Sequence, residues 1–228
     1  MKKLNSGFRL LDKNLGGFCA GELIVIGSRP YMKKGLFMER LANKIASEEC
    51  LVLYVFNQFN PAQLICNQYI SMFPSSLEID ELCNRIKEEI FSYKVNLVCI
   101  DNLEMISYAS GCIDGNIRKE VATRLKKLAT EIKIPIVILS ELSEKVETRG
   151  RNKIKPKLID LNGVQDIADK IILINRQEYY GFFEDEEGES TEGIYYLDVF
   201  NNTSKARIKF ALNENINEFI ELKTTKIY

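Results

Sequence analysis

The sequence predicts an α/β fold with a mostly parallel central sheet that is flanked by helices and carries antiparallel strands at its C-terminal edge. Short apolar runs typical of buried strands alternate with segments of helical periodicity along most of the chain. Three strand-like segments then follow one another near the end. Of the 228 residues, 46% are apolar, which suffices for one sizeable core. A single domain over residues 1–228 is therefore expected.

Each predicted element follows from its local pattern. Strands are predicted at 23–26, 51–56, 95–100, 134–139, 170–174, 193–200, 206–212 and 218–222. Helices are predicted at 35–48, from Asn60-Pro61 onward, at 79–93, at 117–132 and, as a short helix, at 164–169. Glycines at 4–21, basic residues at 143–162 and acidic residues at 184–192 predict irregular segments.

Composition excludes several classes of function. The formal net charge of −1 gives no general attraction to nucleic acid, so such binding must depend on a local patch. Histidine does not occur, which removes His-based catalysis and the usual zinc sites. The six cysteines form no C-x-x-C pair and are expected to be buried, reduced thiols in a cytoplasmic protein. No apolar run approaches the roughly 18 residues of a membrane helix, so no membrane partner is expected.

The stretch 22–37 carries the most chemical information. An apolar strand runs through a polar loop with a lysine pair into a helix, which is where P-loop proteins hold nucleotide phosphates. Against the pattern G-x-x-x-x-G-K-[ST], residues 28–35 read SRPYMKKG, and only Lys34 fits. A solvated lysine pair at a helix start is the alternative. The candidate nucleotide-binding residues are Ser28, Arg29, Lys33, Lys34, Gly35 and Asp101.

Short matches to one known family occur in order along nearly the whole chain. They include Ser6-Gly7-Phe8, Gly16-Gly17, Arg29-Pro30, Ile100-Asp101, Leu139-Ser140, Val146-Glu147, Arg149, Lys155-Pro156, Asp160-Leu161, Ala168-Asp169, Arg176 and Tyr179-Tyr180. With these residues the chain resembles the C-terminal motor domain of DnaB-type replicative helicases, which has a RecA-like P-loop fold. The resemblance implies ATP-driven movement along single-stranded DNA by a hexameric ring, with ATP and Mg²⁺ as cofactors.

The phosphate loop departs from the family pattern. Ser28 and Lys33 stand where glycines let the backbone wrap around phosphate, and a non-glycine residue in a left-handed conformation costs about 1–2 kcal/mol. Gly35 replaces the hydroxyl that ligates Mg²⁺. Asp101 keeps the carboxylate that holds Mg²⁺ through water in the family, although it is also a plausible cap for the following turn.

The general base and the arginine finger also depart from the pattern. The family's catalytic glutamate aligns with Gln58, whose amide cannot accept a proton. The family's K-x-R-N-G motif reaches into the neighbouring subunit's nucleotide site, and Asp198 and Phe200 align with its lysine and arginine. Glu104 and Glu141 stand where the family usually has glutamine, and either is a candidate replacement base, although polar residues at strand ends are the simpler interpretation. No working catalytic residue is therefore expected.

A basic segment is the candidate contact with DNA. In the family, loops of this region face the central channel and hold the DNA backbone, which requires only positive charge and flexibility. Glu144 and Glu147 dilute that charge, and a solvated basic loop is the alternative. The candidate DNA-binding residues are Arg149, Arg151, Lys153, Lys155 and Lys157.

Three functions remain open at this point. The favoured one is a DnaB-like domain that has lost ATP hydrolysis and serves as a DNA-binding or assembly module in DNA replication or in a mobile element, without a required cofactor. The second is an active ATP-dependent DNA helicase with atypical motifs, and the third is a structural partner of a true helicase or another replication protein. The chain does not contain the family's separate N-terminal domain, so a monomer or weak homo-oligomer is expected.

Overall fold

A computed structural model describes residues 3–47, 49–56, 70–74, 78–109, 115–149, 154–201 and 203–226. The α-helices in these ranges are α1 (Arg9–Leu15), α2 (Lys34–Ile45), α3 (Ile79–Ser92), α4 (Leu103–Ala109), α5 (Gly115–Ile132) and α6 (Lys145–Thr148). The strands are β1 (Leu23–Ser28), β2 (Leu51–Phe56), β3 (Ile70–Pro74), β4 (Val95–Ile100), β5 (Ile136–Glu141), β6 (Lys170–Asn175), β7 (Ile194–Phe200), β8 (Lys205–Asn213) and β9 (Glu218–Lys226).

In the described part of the chain, all nine strands form one sheet in the order β3-β2-β4-β5-β1-β6-β7-β8-β9. The six strands from β3 to β6 are parallel, and β7, β8 and β9 are antiparallel to their neighbours. The predicted fold class is confirmed. Parallel strands place their carboxyl ends on one edge of the sheet, so loops after β1, β4 and β5 meet there.

Two hydrophobic cores cover the two faces of the sheet. On one face, α1 and α2 pack against the strands through buried residues such as Leu11, Phe37 and Leu41. On the other face, α3, α4 and α5 pack through residues such as Leu82, Ile106 and Leu125. The strand β1 lies between the two layers and is buried along its whole length, which explains its continuous apolar sequence.

Several elements differ from the sequence prediction. Residues 9–15 form α1 within the stretch predicted to be irregular. Gly16 ends this helix in a left-handed conformation with φ of 84°. β3 and α4 had no predicted counterpart, and α6 with a 3₁₀ turn at Leu158–Leu161 lies inside the predicted basic loop. The short helix predicted at 164–169 is a 3₁₀ turn at Val164–Asp166. The helix predicted from Asn60-Pro61 lies outside the described residues.

The cysteines of the described ranges are free thiols, as the sequence predicts for a reduced protein. Cys50 and Cys99 are buried, whereas Cys19 and Cys83 are partly exposed. Burial raises the pKa of the Cys83 thiol to about 11, so the reactive thiolate is disfavoured there. Among the described helices, none is both long and apolar enough to cross a membrane.

Gly27 marks the tightest packing in the central strand. A Cβ at this position would lie 2.9 Å from Leu161, 3.0 Å from Leu142 and 3.1 Å from Leu173. These three leucine side chains belong to the core that also contains α5. Glycine is required here by the close approach of side chains, since its φ is not positive.

We expect Gly27→Ala to lower the free energy of unfolding by about 1–3 kcal/mol, because three leucines must move to admit one methyl group. Urea denaturation measures this change. The matched control is Gly35→Ala, where the added Cβ meets only Asp101 Oδ2 at 3.6 Å and lies in the first turn of α2. The control should be neutral or stabilise the fold by up to about 1 kcal/mol. Equal stability of Gly27→Ala and wild type would contradict the packing argument.

Candidate functional site

The candidate site lies where three neighbouring strands end. β4, β5 and β1 are adjacent in the sheet, and they end near Asp101, at Glu141 and at Ser28. The segment 29–33 leaves β1 and leads into α2, whose first residue is Lys34. The topology thus brings together the loop, its lysine and two carboxylates that are far apart in sequence.

The loop keeps a left-handed turn without glycine. Lys33 has φ of 53° and Tyr31 has φ of 66°, whereas Ser28 lies inside β1. The cost predicted for a non-glycine residue in a left-handed conformation therefore applies to Lys33 and not to Ser28. The Lys33 ammonium lies 3.4 Å from Oε1 of Glu214, the residue that follows β8. The Lys33 side chain therefore has a partner outside the loop.

Arg29 is turned toward the protein. Its Nε donates a hydrogen bond to Glu147 Oε1 at 2.8 Å, and its Nη1 donates to the carbonyl of Leu142 at 2.8 Å. The residue is 9% exposed, so its charge is neutralised in a largely dry environment. Arg29 thereby ties the phosphate loop to the segment after β5.

Tyr31 extends this attachment on the outer side of the loop. Its ring stacks on Tyr179 with centroids 6.2 Å apart and an interplanar angle of 21°. Tyr179 in turn contacts Tyr180 edge to face at 5.2 Å. An offset pair of rings contributes about 0.5–1.5 kcal/mol beyond the area that it buries. The aromatic contacts therefore help to hold the strained backbone of the loop in place.

Lys34 is shared between carboxylates. Its Nζ lies 3.6 Å from Glu141 Oε1, and the lysine side chain is 12% exposed. Burial raises the pKa of Asp101 to about 6, while the charge of Lys34 lowers it and the charge of Glu141 raises it. Gly35 lies beside Asp101 and offers no hydroxyl. The site thus combines one ammonium with two acids, of which Asp101 is costly to ionise.

Asp101 does not act as the helix cap that the sequence left open. The backbone N–H of Met105 donates to Asn102 Oδ1 at 3.0 Å, so Asn102 caps the start of α4. The backbone N–H of Asp101 donates to the carbonyl of Val55 at 2.8 Å. The carboxyl group of Asp101 is therefore left near Lys34.

Glu104 forms a buried ion pair behind Glu141. Its Oε1 accepts hydrogen bonds from Arg118 at 2.5 Å, from the backbone N–H of Glu141 at 2.8 Å and from Ser140 Oγ at 3.2 Å. Arg118 also donates to the carbonyl of Glu141 at 2.6 Å. Both backbone polar groups of Glu141 are thus held by one ion pair. Burial raises the pKa of Glu104, although Arg118 opposes that shift.

The two positions aligned with the family's finger motif both make contacts within the protein. Asp198 on β7 faces Arg207 on β8, and the guanidinium donates from Nε and Nη2 to the two carboxylate oxygens at 2.6 Å each. Asp198 is 7% exposed. Phe200 packs against the core formed with α5. Gln58, the position aligned with the general base, lies outside the described residues.

The candidate DNA-binding residues that the structure describes are largely paired. Arg149 donates two hydrogen bonds to Asp160, which is 2% exposed, and Lys155 pairs with Glu186. Lys157 is exposed and contributes its backbone N–H to Asp160 at 2.7 Å. Arg151 and Lys153 lie outside the described residues. The described part of the segment therefore carries little uncompensated positive charge.

The acidic segment 184–192 contains a second ionic cluster. Oxygens of Asp185, Glu187 and Glu189 lie within 4.8 Å of one another. Lys209 donates to Asp185 at 2.5 Å and to Glu189 at 2.7 Å, and Lys223 donates to Glu187 at 2.9 Å. Burial opposes the effect, but hydrogen bonds from Lys209 and from the backbone N–H groups of Glu189 and Glu187 lower the pKa of Asp185 to about 2. Two lysines thus neutralise a group of carboxylates that otherwise resembles a cation site.

Sequence reasoning missed several residues that shape this site. Arg118 carries no local signal, because its partners are Glu104 and the strand end at Glu141. The partners of Arg29 and Tyr31 are likewise distant in sequence. Arg207 lies opposite Asp198 because β7 and β8 pair antiparallel. The antiparallel strands predicted at 193–200 and 206–212 were the signal from which this pairing could have been found.

The chain matches one protein family over most of its length. A family model described as the DnaB-like helicase C terminal domain matches residues 3–73 and 66–221. A probable plasmid replicative DNA helicase of Chlamydia psittaci is 25% identical over 240 residues, which cover 87% of this chain and 51% of that protein. The replicative DNA helicase DnaB of Rhodothermus marinus is 30% identical over 203 residues, covering 68% of this chain and 21% of that protein. The chain thus spans about half the length of such relatives, or less.

Solved structures share the fold. A DnaB-like replicative helicase, described together with its interactions with primase, superposes with a TM-score of 0.83 at 18% identity and covers 98% of this chain and 64% of that chain. A solved ATPase domain superposes with a TM-score of 0.82 at 18% identity and covers 96% of this chain and 91% of that chain. The RecA-like architecture implied by the resemblance is therefore confirmed.

The raised pKa of Asp101 predicts a pH-dependent stability. The Asp101 pKa is about 6 in the fold against 3.8 for the free side chain, so protonation of Asp101 stabilises the folded state. This contribution to stability is fully present below pH 3.8 and is lost as pH rises through about 6. We therefore expect Asp101→Asn to stabilise the protein by about 1–3 kcal/mol at pH 8 and to have no effect near pH 4.

Urea denaturation at the two pH values measures this difference. Asp80→Asn is the control, since Asp80 forms an exposed pair with Arg124 at 2.7 Å, and its effect should stay within about 0.5 kcal/mol at both pH values. An Asp101→Asn variant that is less stable than wild type at pH 8 would show that the ionised carboxylate is needed by the fold.

Proposed function

Because this chain belongs to the DnaB-like helicase C-terminal domain family, we propose that it is a replicative-helicase motor domain that has lost ATP hydrolysis and acts as a DNA-binding or assembly module. The observation that carries this proposal is the state of the phosphate loop. Arg29, Lys33 and Lys34 each pair with a carboxylate of the protein, so the loop presents little unpaired charge to a ligand.

The described residues do not fit a triphosphate with Mg²⁺ that is poised for hydrolysis. Gly35 gives no hydroxyl to the metal, and the acid beside it, Asp101, has a pKa of about 6. Glu141 adds a second negative charge next to the lysine that would hold phosphate. Two acids around one ammonium repel a polyanion, and this electrostatic argument supports loss of turnover.

The Asp198–Arg207 pair supports the same proposal at a second place, away from the phosphate loop. In the family resemblance, the strand that carries Asp198 delivers cations to the next subunit's nucleotide. Here Arg207 is committed to both oxygens of Asp198, and Asp198 is itself buried. Phe200 stands where the motif has its arginine. An arginine finger contributes roughly 10³–10⁵-fold to the rate, so its absence removes that contribution.

The remaining functions are binding functions. Ion pairs at Arg149 and Lys155 leave Lys157, together with Arg151 and Lys153, as the candidate contacts with single-stranded DNA. Binding through so few cations is weak and sensitive to salt. For the assembly role, the solved DnaB-like helicase that interacts with primase makes a replication protein the expected class of partner.

We expect the purified protein to release no more phosphate from ATP than its Lys34→Ala variant, with or without single-stranded DNA. Absence of the general base alone lowers a rate by about 10²–10⁴-fold, and absence of the finger lowers it further. A phosphate-release assay measures turnover, and circular dichroism checks that both proteins are folded. ATP turnover by the wild type that Lys34→Ala abolishes would establish the alternative, an active helicase motor.

We expect weak binding to a fluorescent oligo-dT that falls steeply between 50 and 200 mM salt, measured by anisotropy. The charge reversal Arg151→Glu with Lys153→Glu should weaken binding and reduce the salt slope by about 1.4, or about 0.7 for each lost phosphate contact. Arg149 is left intact, because its removal would strand the buried carboxylate of Asp160.

The control for DNA binding is the double reversal Lys94→Glu with Lys127→Glu. Both lysines are exposed and lie on other parts of the surface, so the net charge change is the same. Equal weakening by the two double variants would mean that DNA responds only to overall charge. That result would favour the structural-partner function over the DNA-binding one.

A further inference from the structure

The phosphate loop and the end of β5 are joined by one ion pair whose acid is built into the strand. The Glu141 carboxylate lies 3.6 Å from the Lys34 ammonium, at the mouth of the loop. Glu141 is the last residue of β5, and its side chain is 40% exposed, whereas that of Lys34 is 12% exposed. A carboxylate in this place carries the charge and the acceptor oxygens that a phosphate group would bring to the same lysine.

From this geometry we infer that Glu141 is an internal counterion that excludes polyphosphate from the Lys34 site. The inference rests on the proposed loss of hydrolysis and gives it a cause that acts at the binding step. In this view the first cause of the lost ATP turnover is that the Glu141 carboxylate competes with triphosphate for the Lys34 ammonium. The missing finger then affects the chemical step that follows binding, and the missing hydroxyl removes a ligand of Mg²⁺.

The backbone around Glu141 shows that its position is fixed. Glu104 accepts the N–H of Glu141 at 2.8 Å, and Arg118 donates to its carbonyl at 2.6 Å. Glu104 and Arg118 are each 7% exposed, so this clamp works in a region with little water. The clamp limits how far the strand end can move away from Lys34. Glu104 and Arg118 are therefore positioning residues for Glu141.

The local charge balance supports exclusion of anions. The charges of Lys34 and Glu141 act on Asp101 in opposite directions, so these three groups share one electrostatic environment. The nearby Arg29 is neutralised by Glu147, and Lys33 is directed to Glu214. Removing the charge of Glu141 leaves one ammonium, Lys34, facing one carboxylate, Asp101. That single change converts the site from net negative to near neutral.

The test compares binding of tripolyphosphate and of ATP without metal to four proteins by isothermal titration calorimetry. We expect no saturable binding to wild type at millimolar ligand. Glu141→Gln should bind at least about tenfold more tightly, because one repulsive charge next to the ligand is removed. Lys34→Ala combined with Glu141→Gln should lose that gain. Glu131→Gln is the matched control, since Glu131 forms an exposed pair with Lys87 at 2.8 Å near the end of α5 and should behave like wild type.

The outcomes separate this inference from the proposed function. If Glu141→Gln binds no better than wild type, or if Glu131→Gln gains equally, the inference is overturned while the absence of turnover stands. If wild type itself binds ATP tightly and hydrolyses it, the proposed function fails. Glu141→Ala provides a second variant with the same expected gain. Thermal unfolding of each protein checks the fold, because a partly exposed ion pair contributes little stability.

Discussion

The ammonium of Lys34 is held at the point where three parallel strands end, and the structure of the site depends on how its charge is balanced. Glu141 supplies the nearest carboxylate at 3.6 Å, and Asp101 lies close enough for its pKa to respond to both charges. The buried pair of Glu104 and Arg118 fixes the strand end behind them. The edge of the sheet that holds ligands in this fold is therefore stabilised by interactions within the protein.

The same principle explains how the loop tolerates its sequence. A left-handed lysine costs about 1–2 kcal/mol, yet Lys33 keeps φ of 53°. The contacts of Arg29 with Glu147 and of Tyr31 with Tyr179 anchor the loop before that residue, and the pair of Lys34 with Glu141 anchors it after. Strained backbone persists where surrounding contacts determine it, and here those contacts are side chains. The loop contains two left-handed residues, Tyr31 and Lys33, while its side chains contact other parts of the protein.

How much of this could be read from sequence depended on whether the signal was local. The apolar run at β1 and the alternation of strands and helices gave the sheet and its antiparallel edge, because burial on both faces leaves a continuous pattern. The seven-residue helix α1 was missed since its flanking glycines suggested a loop. At the site, the residue types of Lys34, Asp101 and Glu141 were visible. Their pairing was not, because it arises only when separate strands meet at one edge.

The acidic segment 184–192 is also balanced by charges of the protein itself, but there lysines balance carboxylates. Asp185, Glu187 and Glu189 converge as ligands of a divalent cation would, and the ammonium groups of Lys209 and Lys223 stand among them. The ammonium groups are part of the chain, so the charge of this cluster is balanced without a bound calcium or magnesium ion. At Lys34 the signs are reversed, since an ammonium is balanced by the carboxylate of Glu141. Carboxylates such as Glu187 and Glu189 are about half exposed, so added salt weakens these pairs.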